Sequence, residues 1–228
     1  DAREKLDLVA LATIADLQPL TGFNRHLVKE GLVLLNSASS FLRPGLEALY
    51  KVGGIWGKKV SPWEVGWVLA PRLNASGRLE NALDALRLLV TRNASQAAEI
   101  ASKLDTINHE RQQMTQAMYE EAKATLSLQP SAVSQTQPPT TNYQLPTILV
   151  VSSPNFHEGI IGLVAGKLAQ EFSRPAVAIA IGKDGIAKGS ARSVPGINIL
   201  EVLRQAENLM LGLGGHAGAA GFSIKTTN

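Results

Sequence analysis

The sequence predicts an α/β protein: a helical N-terminal part followed by a compact α/β domain. Three observations carry that prediction. Helix-start signals and apolar positions spaced three and four apart run as far as residue 126. Residues 127–146 are then dominated by Ser, Thr, Gln and Pro and contain no charged residue. Beyond residue 147, short runs rich in Val, Ile and Ala alternate with helical stretches and glycine turns in the order β–α–β–β–α–β.

Residues 3–36 read as two short helices around a turn, with Asn24 placed to N-cap 25–36. Ser61-Pro62-Trp63-Glu64 is a helix start, with serine at the cap, proline at the first helical position and glutamate at the third. Proline lacks an N–H and restricts its predecessor, so that helix is expected to stop near Pro71. Arg72 to Arg78 then falls on an irregular connection, ahead of a helix over roughly 80–90. Residues 95–126 read as one amphipathic helix about 48 Å long, with a stripe of Ile100, Leu104, Ile107, Met114 and Met118 interrupted by Arg111. The uncharged segment 127–146 cannot bury enough apolar surface to offset its ordering entropy and is expected to be a disordered linker or insertion. Strands are expected at 147–152, 176–181, 186–192 and 221–226, with helices at 158–172 and 198–209. Gly182-Lys183-Asp184-Gly185 forms a tight turn. Gly212 to Gly221, with five glycines in ten residues, reads as a loop.

Composition narrows the class. The 228 residues carry no cysteine, which excludes disulfides and thiolate metal sites and fits a reducing compartment. Mean hydropathy is +0.04, and no apolar run approaches the roughly 18 residues of a membrane span. A cytoplasmic protein with no membrane partner is expected. Net charge is +3, and from Thr147 onward there are seven Lys/Arg against five Asp/Glu. Any nucleic-acid binding therefore rests on a few placed arginines rather than on a basic field. With three tryptophans, three tyrosines and five phenylalanines, no stacking ladder is evident, and Trp56, Trp63 and Trp67 read as packing residues.

Five polar islands interrupt this apolar background. The first is Thr13-Ile14-Ala15-Asp16-Leu17-Gln18-Pro19-Leu20 with Asn24-Arg25. Asp16 there reads either as a capping aspartate or as a hard oxygen ligand for a divalent ion. In Pro71-Arg72-Leu73-Asn74-Ala75-Ser76-Gly77-Arg78, the residues Arg72, Asn74 and Arg78 form either an inter-helix ion-pair set or a phosphate clamp. His157, in Phe156-His157-Glu158-Gly159-Ile160-Ile161-Gly162, stands at a helix start where backbone amides favour an anion, although the carboxylate of Glu158 would repel one. In Lys188-Gly189-Ser190-Ala191-Arg192-Ser193, alternation places Ser190 and Arg192 on one strand face, with Ser193 following. Last, His216 stands among Gly214 and Gly215 in what is either a tight turn or a nest of backbone amides suited to an anion.

In this order and spacing the islands resemble the RecJ family of single-strand-specific exonucleases, members of the DHH phosphoesterases. The resemblance covers nearly the whole chain apart from 127–146. It implies that 1–36 is the C-terminal end of a DHH catalytic domain, 37–126 a helical connector and 147–228 a DHHA1 domain that binds phosphate and nucleic acid. The implied activity is hydrolysis of single-stranded DNA from 5′ to 3′ with Mn²⁺ or Mg²⁺, in repair and recombination. Asp16 is then a catalytic metal ligand, and His216 a catalytic group that grips the substrate. Arg72, Asn74, Arg78, His157, Ser190, Arg192, Ser193, Gly214 and Gly215 are implied contacts to DNA, with Asn108 and Arg111 facing the cleft. The sequence contains no Asp-His-His triplet, so most metal ligands are expected upstream of Asp1, and this stretch alone is expected to bind nucleic acid without turning it over. Two other readings stay open: a phosphodiesterase for short oligonucleotides or cyclic dinucleotides, and a non-catalytic nucleic-acid-binding module.

Overall fold

Helices α1 (Leu6–Ala15) and α2 (Gly22–Leu35) open the chain in the computed structural model, which describes residues 2–37, 43–128 and 147–228. The two helices pack closely because Gly31 has no side chain. A Cβ there would lie 2.1 Å from the Leu6 carbonyl oxygen and 2.5 Å from the Ala10 Cβ. Thr21, not Asn24, is the N-cap of α2. Asn24 sits inside the first turn, where its side-chain amide donates to the Pro19 carbonyl at 3.2 Å. The helix thus starts three residues earlier than its cap chemistry suggests, and Asn24 braces the preceding turn instead.

The chain divides into two units, Asp1–Arg111 and Gln112–Asn228. In the first, α3 (Pro44–Val52), α6 (Leu83–Val90) and the start of α7 (Ala94–Leu128) join α1 and α2. Leu11, Val28, Leu35, Leu46, Leu49, Leu69, Leu88 and Leu104 are buried together in one core. At its edge the buried Asp7 accepts from Arg43 Nε at 2.6 Å. The Tyr50 hydroxyl donates to the Leu35 carbonyl at 3.0 Å, and burial pushes its pKa up. Asn36 exchanges two hydrogen bonds with the backbone of Val60, each at 2.8 Å, and so ties the approach to the next helix onto the end of α2.

That helix begins as expected. Ser61 Oγ accepts the Trp63 amide at 3.1 Å, and Glu64 Oε2 accepts the Ser61 amide at 2.8 Å, completing a capping box. These bonds to Ser61 hold the Glu64 carboxyl below the usual range. The helix does not stop at Pro71. α4 (Pro62–Glu64) passes through a π-helical turn (Val65–Leu69) straight into α5 (Ala70–Leu79). The Ala70 amide reaches back five residues to the Val65 carbonyl. The wider turn lies just where a proline ring would collide with the carbonyl four residues before it, so the proline is absorbed. Arg72 to Arg78 is therefore helical. The three tryptophans are also not core residues: Trp56, Trp63 and Trp67 are 44, 60 and 71% exposed.

The second unit holds the end of α7 and a five-stranded sheet in the order β1-β2-β3-β5-β4. Its strands are β1 (Leu149–Ser153), β2 (Ala176–Ile181), β3 (Ile186–Arg192), β4 (Met210–His216) and β5 (Ala219–Lys225). β1 and β2 are parallel, linked by α8 (Ile161–Phe172), and every other pairing is antiparallel. Val177, Ala191 and Ala220 pack with Ile199 of α9 (Ile199–Arg204) on one side. α8 begins three residues later than expected, and the helix expected at 198–209 divides into α9 and a 3₁₀ turn, Glu207–Leu209. The main difference is β4, which was read as part of a loop. Most of the expected linker, residues 129–146, lies outside the described residues, and α7 itself runs through Ser127 and Leu128.

Gly31→Ala is expected to lower stability by about 1–3 kcal/mol, because the new methyl meets the Leu6 backbone and the Ala10 methyl, neither of which can swing aside. Gly77 has the opposite setting, a helix interior where a Cβ would meet only Ala82 Cβ at 3.5 Å. Gly77→Ala is expected to be neutral or to stabilise by about 0.5–1 kcal/mol. Thermal unfolding of the two variants beside the parent checks both signs.

Candidate nucleic-acid interface

In the second unit, strand register assembles the site. Arg192 of β3 pairs with Ala219 of β5, which pairs with His216 of β4; one step away, Ser190 pairs with Gly221 and Gly221 with Gly214. Directly paired residues point to the same face of a sheet. Arg192 and His216 thus flank one row about 10 Å across, with Ala219 between them, and the neighbouring row is Ser190, Gly221 and Gly214. Gly214, Gly221 and His216 are exposed. A Cβ on Gly214 would meet nothing within 4 Å. The result is a bare patch of backbone with a guanidinium on one side and an imidazole on the other.

Arg192 is held at three points. Its Nη1 donates to Ser190 Oγ at 3.0 Å and to the Ala191 carbonyl at 2.9 Å. Its Nη2 lies against the first turn of α8, where a Cβ on Gly162 would be 2.9 Å away. The guanidinium and the positive end of a 12-residue helix thus share one neighbourhood, which favours a bound anion. His157 leads into that turn: its Nδ1 accepts the Gly159 amide at 3.2 Å, and its carbonyl accepts from Ile160 and Ile161. The carboxylate of Glu158 is engaged by Lys188 Nζ at 2.5 Å, which answers its repulsion of an anion. That bond raises the Lys188 pKa.

His216 stands at the tip of the β4–β5 hairpin. Its Nδ1 accepts the Gly218 amide at 3.2 Å, which leaves Nε2–H as an outward donor. The tip is clamped to the segment after β3, since the Ser193 amide donates to the Gly218 carbonyl and the Ile199 amide to the Ala217 carbonyl, both at 3.0 Å. Ser193 Oγ donates to the Ile197 carbonyl at 2.7 Å. Its hydroxyl is thus turned into its own loop, and its place in the site is to brace the tip that carries His216. Gly215 does not share the floor. Its φ of +149°, and a Cβ position only 2.4 Å from the Ala219 carbonyl oxygen, make it a backbone requirement of the hairpin.

The first unit carries the other expected residues. Asp16 caps the C-terminus of α1, is exposed, and accepts from Gln18 Nε2 at 2.6 Å. Among the described residues no group of three or more His, Cys, Asp or Glu side chains could hold a metal ion. One carboxylate does not make a divalent-ion site, so these residues do not form one. Arg72 is committed to the fold: its Nε bonds Asp105 Oδ1 at 2.8 Å and its Nη1 the Val68 carbonyl at 2.7 Å. Arg78 is different. Burial lowers its pKa, and Arg111 is lowered by burial and by the positive charge of Arg78. Arg111 Nη2 donates to Oδ1 of the buried Asn108 at 2.6 Å. Arg78 and Arg111 are both half-buried. Asn74 is exposed on the same helix as Arg78.

Several residues of this geometry were not singled out from sequence: Gly162, Lys188, Ala219 and Gly221. All four lie within segments already noted, but only strand pairing, the contact of Arg192 at Gly162 and the ion pair of Lys188 with Glu158 show how they are placed.

The chain is similar to known proteins over nearly its whole length. Residues 145–228 match the DHHA1 domain. The chain is 39% identical over 223 residues to the single-stranded-DNA-specific exonuclease RecJ of Bacillus subtilis, covering 97% of this chain and 26% of that protein. It is 36% identical over 226 residues to RecJ of Escherichia coli, covering 97% of this chain and 37% of that one. The crystal structure of RecJ in complex with Mn²⁺ from Thermus thermophilus superposes with a TM-score of 0.82 at 35% identity, over 99% of this chain and 31% of that one. A second crystal structure, of exonuclease RecJ bound to manganese, gives 0.76 at 35% identity over 99% of this chain and 51% of that one. The chain thus spans about a quarter to a third of the length of these curated relatives. Over the stretch it shares with them the chain is similar to RecJ along nearly its whole length, and residues 145–228 match the DHHA1 domain.

Proposed function

We propose that this chain is the substrate-gripping part of a metal-dependent exonuclease that degrades single-stranded DNA from 5′ to 3′ in repair and recombination. The observation that carries the reading is the row Arg192–Ala219–His216 beside the bare floor Ser190–Gly221–Gly214. A phosphodiester laid on that floor meets a planar cationic fork on one side and an imidazole N–H on the other. At Gly221 and Gly214 no side chain holds the backbone away from it. Both donors are fixed before substrate arrives, Arg192 by Ser190 and Gly162, and His216 by Gly218 and the loop that Ser193 braces. Donors that need no reorganisation are the kind that orient a phosphate for in-line attack.

Ser190, Arg192, Gly214 and His216 contact the DNA backbone directly in this reading, and His157 sits at the helix start beside them. Ser193 and Gly215 act by shaping the hairpin. Arg78, with Asn74, binds a further phosphate from the first unit, and Arg72 holds the helix that carries them. Residues 1–36 are assigned to the end of the catalytic domain and 37–126 to the connector. Mn²⁺ or Mg²⁺ supplies water activation and leaving-group stabilisation in phosphodiester hydrolysis. Asp16 contributes one oxygen donor to that ion, and its other ligands lie outside the described residues.

Arg192→Ala is expected to weaken binding to all single-stranded sequences alike and to reduce the slope of log K against log salt by about one. Fluorescence anisotropy with several homopolymers over a salt series reads this, and a loss confined to one sequence would remove Arg192 from the phosphate site. Gly214→Val places a side chain on the open floor at a position free of steric conflict. Its melting temperature should match the parent while affinity falls at least about tenfold, since phosphate contacts must lengthen. In the protein that carries this segment, Mn²⁺-dependent release of mononucleotides from the 5′ end of a 3′-labelled strand is expected. Asp16→Ala should lower that rate by about a hundredfold or more. Release from the 3′ end, or indifference to Asp16, would overturn the assignment.

A further inference from the structure

We propose that Trp63 and Trp67 form a stacking platform for bases of a single strand whose backbone Arg78 engages on the same helix. This rests on the nucleic-acid reading above and adds a base-binding site to it. The tryptophans start a row of residues 63, 67, 71, 74 and 78, spaced four, four, three and four apart, on the continuous helical stretch from Pro62 to Leu79. Such spacing keeps side chains on one helix face. Exposure follows the row: Trp63, Trp67 and Asn74 are exposed, with Pro71 and Arg78 half-buried, whereas Val65 and Leu69 on the opposite side have no exposed surface. The π turn is what lets the helix carry both halves, because a break at Pro71 would have separated the indoles from Asn74 and Arg78.

The chemistry of the row selects its occupant. Two indoles, 60 and 71% exposed, offer wide π-faces, and the row continues into an amide and a guanidinium with no acidic residue among its five positions. Glu64 lies off the row and is tied to Ser61. Two π-faces followed by an amide and one cation suit unstacked bases joined by phosphates; an acidic or purely apolar protein surface would use only half of the row. The π turn also abuts α1, since a Cβ at Gly66 would be 3.9 Å from Ile14 Cγ2, two residues before Asp16. The platform thus neighbours the element that carries the carboxylate.

The three tryptophans of the chain are residues 56, 63 and 67, so fluorescence reads this site almost alone. Trp56 is set apart by Lys51, whose ammonium lies 5.0 Å from its ring centroid, and Trp56→Phe removes its signal. In that background, oligothymidylate is expected to quench the emission, while an abasic strand of equal length binds without quenching. Replacing both Trp63 and Trp67 by Ala should cost about tenfold or more in affinity for oligothymidylate. Abasic binding and the salt slope should be unchanged, and the double Phe variant should keep most of the affinity. Equal binding of the two strands with unchanged emission would overturn the platform while leaving the phosphate site intact, as continued dependence on Arg192 would show. Failure of either strand to bind would remove the nucleic-acid reading and the platform with it. If the indoles resist acrylamide in the longer protein carrying this segment, they are covered by protein, and the platform is likewise overturned.

Discussion

One missing Cβ organises the second unit. The Arg192 guanidinium lies where a side chain at position 162 would be, and only glycine there lets a cation settle against the first turn of α8. The arrangement is electrostatically unfavourable on its own, since a helix N-terminus and a guanidinium repel each other. It is sustained by Ser190 and the Ala191 carbonyl, which take the guanidinium protons, and by the sheet, which fixes the rows on which His216 and Gly214 stand. An anion turns that repulsion into two attractions. In the proposed function the site is thus shaped before its ligand arrives, and what the ligand relieves is electrostatic rather than conformational.

Glycine serves three separable purposes in this fold. Gly31 and Gly45 allow elements to approach closely, and a Cβ at Gly45 would lie 1.9 Å from the Leu88 carbonyl oxygen. Gly215 supplies a backbone conformation that other residues resist. Gly214 does neither. It stands in open space with ordinary φ, and its contribution is the absence of a side chain above a surface. Composition counts these alike, yet only the third kind speaks of a substrate.

The same distinction explains how much of the fold and site was legible in the sequence. The capping box at Ser61 was readable because its chemistry is complete within four residues. The long helix, the α8 segment and the three strands β1, β2 and β3 were readable because apolar periodicity survives without tertiary context. β4 was not: strand reading rewards branched and aromatic residues, and a strand written Met-Leu-Gly-Leu-Gly-Gly-His offers few of them. Its membership in the sheet is conferred by β5. Pro71 misled for a related reason. Proline's missing donor is a local fact, but the π turn that accommodates it draws on Val65 and Leu69, which are anchored in the core. Asp16, Arg192 and His216 stood out as chemistry in apolar surroundings, whereas Gly162 and Lys188 act only through neighbours distant in sequence.

Arg72 and Arg78 show why residue type alone could not divide structural from functional roles. They lie six positions apart on one helix, and both are arginines in a polar island. Arg72 meets Asp105 and the Val68 carbonyl, so its charge is compensated within the fold, and removing it would leave Asp105 without that partner. Arg78 is half-buried, and burial together with the positive charge of Arg78 lowers the pKa of Arg111. In the proposed function Arg78, rather than the ion-paired Arg72, is the arginine of this helix that meets a phosphate.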